Sequence, residues 1–218
     1  MIPLTSPALL GVLIYEGVEP IDLGGTVGVV SMASRVLPHV RATVIAHHAG
    51  PMRLAGGLTV LAEHGFDNAP PCDVVIVCGG PGWPEAAADM ALLNFLRGLP
   101  PERLASVCTG ALILAAAGVL DGRSATTRRR ALGQETVAPL DRLAASGAIR
   151  PKVAAVVDDT VVTGGGVSLA IDATLYLLGR LYGEAAAAEI AQIIEYDRAW
   201  AANRDALGIV VRSDPTAT

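Results

Sequence analysis

The amino-acid sequence predicts an α/β fold, one parallel β-sheet with helices on both faces, in a single domain over residues 1–207. Three observations predict it. Short apolar runs suited to buried strands alternate with longer stretches of helical spacing. Two of these runs stop abruptly in small-residue turns, Gly79-Gly80-Pro81-Gly82 and Cys108-Thr109-Gly110. With 218 residues, 52% of them hydrophobic, the chain can bury one sizeable core.

Ala8–Tyr15 (ALLGVLIY) is a continuous apolar run, the pattern of a strand covered on both faces. Ile21–Val36 then places apolar residues at helical spacing in spite of its glycines, and Arg41–Ala46 reads as a second strand. Met52–Leu61 carries Gly56-Gly57 between two apolar stretches, which predicts a hairpin. Asp73–Cys78 (DVVIVC) is the clearest strand. A helix over Asp89–Leu99 stops at Pro100-Pro101. Leu104–Val107 is a short strand leading into Cys108, and Ala111–Val119, apolar all round, is a buried helix. A short strand at Ser124–Thr127 and a surface helix over Gln134–Ala145 follow. Val153–Val157 and Val161–Thr163 are strands about the Asp158-Asp159 turn, and helices cover Ser168–Tyr182 and Glu184–Asp197. Residues 208–218 are polar and predict a disordered tail.

The composition excludes several function classes. Charged residues make up 17% of the chain and the net charge is −5, which does not provide the basic face that a phosphate backbone requires. Aromatic residues, at 4%, are too few for base-stacking platforms, so no nucleic-acid partner is expected. No segment approaches a membrane span of about 18 apolar residues, and the first apolar run lacks the basic flank of a signal peptide. The three cysteines, Cys72, Cys78 and Cys108, form no CxxC pair and no zinc-finger spacing. They read as reduced thiols of a cytoplasmic protein, with no metal expected.

Chemistry in open α/β sheets gathers at the carboxyl ends of the strands. Val107-Cys108-Thr109-Gly110-Ala111 puts a thiol there, at a strand-to-helix turn made tight by small neighbours. Orphan N–H groups at a helix start favour thiolate over thiol, and such a turn has the form of a nucleophile elbow. Cys72 and Cys78 flank a core strand and read as structural. His39, His47, His48 and His64 all precede the elbow and also read as structural. Arg128-Arg129-Arg130 offers charge for an anionic substrate group, but reads first as a solvated basic turn.

The string from Ala105 through Cys108-Thr109-Gly110-Ala111 to Leu120-Asp121-Gly122-Arg123, continued by Ala125-Thr126-Thr127, resembles the DJ-1/PfpI superfamily. Within it the chain is similar to the isocyanide hydratases and to the amidase-like sensor domains of AraC-type regulators. Gly79-Gly80-Pro81-Gly82, Thr163-Gly164-Gly165-Gly166 and Ala170-Ile171-Asp172 extend the resemblance to about residues 8–196. It implies a flavodoxin-like, class I glutamine amidotransferase-like sheet and a homodimer acting on a small molecule without a cofactor. Ile21-Asp22-Leu23-Gly24-Gly25 resembles the family segment whose acidic side chain faces the cysteine, which implies Asp22 as a catalytic partner of Cys108. Asp22 read alone is equally a helix cap. Two acids in one pocket do not both ionise cheaply, so Asp22 would hold a proton while Cys108 is the anion.

The implied reaction is hydration of an isocyanide to an N-substituted formamide through a thioimidate on Cys108. The resemblance gives Thr109 a role in orienting Asp22 or water, and Gly79, Gly80 and Thr109 roles in binding substrate or developing negative charge. The sequence departs from the branch at Arg128-Arg129-Arg130, where His-Trp is usual, and it has no His after Cys108. A Cys/His hydrolase is therefore disfavoured. The alternatives are a non-catalytic small-molecule or redox sensor and a glyoxalase-type enzyme. No helix-turn-helix domain follows the last predicted helix, so DNA binding is not expected.

Overall fold

The computed structural model describes residues 1–212. Strands β1 (Ala8–Leu13), β2 (Val40–Ile45), β5 (Val74–Val77), β6 (Leu104–Ser106) and β10 (Val161–Gly164) lie parallel in one sheet. Their side chains are Val-, Ile- and Leu-rich and mostly buried on both faces, as a sheet covered by helices requires. Two further strands, β9 (Val156–Asp159) and β11 (Ile209–Val211), complete the order β11-β9-β10-β6-β5-β1-β2. β9 runs antiparallel to β10, and β11 runs parallel to β9. The sheet is therefore mainly parallel, with a reversed edge.

The chain leaves β1 toward β2 on one side and later builds β5, β6 and β10 on the other. The strand order thus reverses between β1 and β5, the position at which such sheets open a crevice. Helix α1 (Pro20–Leu23) passes through a wide turn at Gly24–Gly28 into α2 (Val29–Ala33). A short helix, α3 (Trp83–Ala86), follows the glycine turn after β5. A Cβ on Gly25 would lie 2.7 Å from Ala170 Cβ, so glycine lets the α1–α2 turn sit against α7 (Leu169–Tyr182). Helices α2, α7 and α8 (Glu184–Ile193) pack together on one face of the sheet. On the other face α4 (Met90–Arg97) and α6 (Pro139–Ala145) pack against α5 (Gly110–Ala116). Asp89 caps α4 by accepting from the Ala91 N–H at 2.9 Å and the Leu92 N–H at 3.3 Å. The hairpin β3 (Gly50–Arg53) and β4 (Thr59–Ala62) turns at Gly56 and Gly57, both at positive φ.

Several boundaries differ from the sequence reading. The helix expected over Gln134–Ala145 begins only at Pro139. Proline favours the first helical position and pushes Ala138 to extended backbone. The strand expected at Val153–Val157 forms at Val156–Asp159, and β7 (Ser124–Ala125) pairs with β8 (Arg150–Pro151) beside it. The last helix expected, over Glu184–Asp197, breaks after Ile193, and a further helix, α9 (Asp197–Leu207), follows it. The disordered tail expected over residues 208–218 does not begin at 208: Ile209–Val211 pairs with β9, whose edge otherwise leaves backbone groups unpaired. Residues 213–218 of that expectation lie outside the described residues. Among the described residues no helix is long and apolar enough to cross a membrane.

Candidate active site

The loops after β1, β5 and β6 converge at the carboxyl end of the sheet. Their approach is so close that side chains are excluded. A Cβ on Gly80 would lie 2.4 Å from Glu19 N and Gly17 O, and one on Gly110 would lie 2.1 Å from Val77 O. One on Gly79 would lie 2.5 Å from Thr109 N. The glycine turns are thus the packing condition for bringing Asp22, Gly79 and Cys108 into one place.

Cys108 occupies the turn between β6 and α5 at φ 52, a left-handed conformation costly for a residue with a side chain. Three contacts hold it there. Its N–H donates to Gly165 O at 3.0 Å, and its carbonyl accepts from Thr127 Oγ1 at 2.5 Å. The neighbouring Thr126 N–H donates to Thr163 Oγ1 at 2.9 Å. The Ala125-Thr126-Thr127 string therefore clamps the elbow to the Gly164-Gly165-Gly166 turn. Strain kept in place by several long-range bonds is the usual state of a nucleophile on such a turn.

Asp22 is fully buried on α1. Its Oδ2 accepts from the Gly79 N–H at 2.9 Å, and its Oδ1 is buried without a hydrogen-bond partner among the described residues. Burial pushes the carboxyl up to about 7, with the Gly79 and Cys108 contacts pulling it back and Glu19 raising it further. The Cys108 thiol is 3% exposed. Burial pushes it up to about 12, the negative charge on Asp22 adds to the rise, and the Thr109 N–H and Arg128 oppose it. The helix start alone favours thiolate; burial overrides it. This runs against the expectation of a resting thiolate: burial favours the thiol, beside a carboxyl group itself raised by burial.

Two further expectations are corrected by geometry. The Thr109 hydroxyl does not reach Asp22. It accepts from the Gly80 N–H at 2.9 Å and donates to Gly80 O at 3.4 Å, tying two turns together. The N–H groups of Gly79 and Gly80 are likewise committed, to Asp22 and to Thr109, and are not open donors for developing charge.

A cleft of about 530 Å³ opens over Cys108 and Thr109. Pro81, Trp83, Pro84, Leu132 and Val167 form an apolar wall, and Glu19, Arg128, Glu135 and Arg142 bring charge. The solvated basic turn expected at Arg128-Arg129-Arg130 holds only for the last two. Arg129 and Arg130 are exposed, whereas Arg128 is buried and lines the cleft. Of the histidines, His47 is taken up elsewhere, paired with Asp89 at 3.0 Å and stacked on Phe66. Cys72 and Cys78 are buried in the core, as their flanking positions imply. Tyr15, which the sequence does not single out, places a buried hydroxyl near Asp22 and Cys108. Among the described residues no group of three or more side chains is arranged to hold a metal ion.

Known proteins share this fold and about a third of this sequence. The chain is 33% identical over 189 residues to the isonitrile hydratase of Pseudomonas putida, covering 86% of this chain and 78% of that protein. It is 29% identical over 197 residues to the HTH-type transcriptional regulator GbdR of Pseudomonas aeruginosa, covering 88% of this chain and 52% of the regulator. The crystal structure of a ThiJ/PfpI family protein from Pseudomonas syringae superposes with a TM-score of 0.73 at 29% identity, covering 90% of this chain and 78% of that one. The DJ-1/PfpI family model matches residues 10–179, a span holding the strained cysteine, its carboxyl neighbour and the glycine turns that join them; the chain belongs to the DJ-1/PfpI family.

Proposed function

We propose that the protein hydrates isocyanides, adding water to R–N≡C to give an N-substituted formamide, R–NH–CHO. The observation that carries this reading is the pair of Cys108 and Asp22, a thiol and a carboxyl group buried together, with no histidine among the described residues that line their cleft. The isonitrile hydratase likeness supports it. The isocyanide carbon accepts a soft nucleophile and a proton on the same atom, and the pair supplies both.

In the first step the proton of Cys108 passes to Asp22, the sulfur bonds to the isocyanide carbon, and Asp22 returns the proton to that carbon. The product is the thioimidate R–N=CH–S–Cys108. Water then adds to the same carbon with Asp22 taking its proton. The C–S bond breaks, one water proton ends on the substrate nitrogen and the other on the sulfur. No net proton, electron or cofactor is consumed. The apolar wall of Pro81, Trp83, Pro84, Leu132 and Val167 receives the substituent R.

The test is formamide production from a panel of alkyl and aryl isocyanides, with methylglyoxal and simple amides as competing substrates. Wild type is expected to form formamides. Cys108→Ala is expected to lose at least about a thousandfold in rate. Full activity in Cys108→Ala, or turnover of methylglyoxal without any isocyanide turnover, overturns the reading.

A further inference from the structure

We propose that Arg128 is the cationic partner of the Cys108 sulfur, the group that draws the single negative charge of the Cys108–Asp22 pair onto sulfur. This rests on the reading of Cys108 as the nucleophile and adds a residue to its machinery.

The backbone delivers Arg128 to the site. Its neighbour Thr127 is bonded to the Cys108 carbonyl, so the next residue along the chain opens onto the same cleft. The Gly165-Gly166 turn admits it. A Cβ on Gly166 would lie 2.5 Å from Arg128 Cβ and 3.0 Å from its Cα, while Gly165 O holds the Cys108 N–H. One turn therefore fixes both residues. The guanidinium is anchored at both of its amino groups. One amino group donates to the Arg130 carbonyl and the other to Glu135 Oε1 at 2.6 Å. Glu135 Oε2 in turn accepts from the Leu132 N–H at 2.8 Å, which closes the 130–135 loop around the anchor.

The Arg128 side chain is 10% exposed and lines the same cleft as Cys108, whose thiol it pulls downward. Glu135 is itself 28% exposed, so solvent screens part of the carboxylate bonded to Arg128. A buried guanidinium with its charge only partly met favours a second anion next to it. That anion forms when the thiol proton moves from Cys108 Sγ to the unpartnered Oδ1 of Asp22: the S–H bond breaks, an O–H bond forms, and the charge passes to sulfur. Asp22 is already raised by its burial, which readies it as the acceptor. Behind the sulfur lie Asp22, Tyr15 and Cys78, each adding negative charge or none, and Glu19, Glu135 and Arg142 line the cleft in front of it. Arg128 pulls the thiol downward.

Alkylation of Cys108 by iodoacetamide, followed by mass spectrometry as a function of pH, reads the thiolate directly and needs no isocyanide. Arg128→Gln is expected to slow alkylation of Cys108 about ten- to a hundredfold at a fixed pH. Glu135→Gln keeps an acceptor for the anchor and removes the charge that neutralises Arg128, so alkylation at the same pH is expected to quicken about threefold. These opposite signs are the signature. A rate that stays put in both variants, or moves the same way in both, overturns the proposal. If Arg128→Gln does not fold, the faster alkylation in Glu135→Gln decides alone, because that side chain is partly exposed. A wild type that never hydrates isocyanides yet shows the two opposite shifts refutes the hydratase reading and leaves the role of Arg128 standing.

Discussion

Asp22→Asn separates the energetic cost of the site from its chemistry. The folded carboxyl is raised from the ordinary 3.8 to about 7, chiefly by burial. A raised carboxyl is stabilising to the fold only while protonated. The contribution is intact below the unfolded value near 3.8 and is lost as pH rises, until the folded group ionises at about 7. At 1.36 kcal/mol per unit, wild type then loses about 3 kcal/mol between about pH 5 and pH 8 from this residue alone. The amide of the variant does not titrate, so that loss disappears. It also places an N–H₂ where Oδ1 had no partner, which costs about 1–3 kcal/mol at every pH. The difference of differences between the two pH values cancels this constant cost. Urea unfolding of both proteins at both pH values is the assay. The midpoint gap is expected to move in favour of Asp22→Asn by roughly 1 M urea on going to high pH, while isocyanide turnover falls by orders of magnitude. A gap that does not move with pH refutes the buried, raised carboxyl, even if activity is lost.

Two other substitutions test the frame around the site. Gly110→Ala would drive a Cβ to 2.1 Å from the Val77 carbonyl oxygen, and a loss of about 3 kcal/mol or more is expected. Gly24→Ala, with nothing within 4 Å of its Cβ, is expected to be neutral or stabilising by about 0.5–1 kcal/mol. Thermal unfolding of the two side by side checks whether close approach, not glycine itself, is what the elbow needs. Tyr196 Oη donates to Asp172 Oδ2 at 2.9 Å, and burial holds that carboxyl up at about 6. Tyr196→Phe is expected to cost about 1 kcal/mol at low pH and about 2 kcal/mol above pH 7, where the acceptor is charged. Equal costs at both pH values, measured by urea unfolding, would show that the hydroxyl does not serve the ionised form.

What the sequence reveals follows from how local each cause is. The apolar runs at Ala8–Tyr15 and Asp73–Cys78 report two-sided burial directly, so β1 and β5 are legible, and with them the turns at their carboxyl ends. Asp89 before an apolar stretch announces the start of α4. Helix α9 is hidden because its sequence, DRAWAANRDAL, is polar on the whole and buries only Trp200. Strand β11 is short and partly exposed, and its pairing with β9 depends on a contact distant in the chain. Glu135 shows the same effect at the site. Its helical surroundings in the sequence suggest α6, yet it lies in the preceding loop, bonded to Arg128.

The site repeats this division between local and distant causes. Cys108 is identifiable because the small residues that follow a nucleophile elbow are its immediate neighbours. The state of its proton is not, because that depends on groups from four separate loops. The helix start beside Cys108 argues for thiolate, and the burial that the fold imposes argues more strongly for thiol. A buried thiol and a buried carboxyl with one mobile proton between them are poorly nucleophilic at rest and need a cation to become reactive. Arg128 looks like one arginine of three in a polar turn until Gly166, from a different loop, is seen to make room for it. The departure from the usual His-Trp at this point therefore falls where the balance between sulfur and oxygen is set. If that balance governs the reaction, replacing Arg128 should change the pH at which Cys108 reacts before it changes which isocyanides fit.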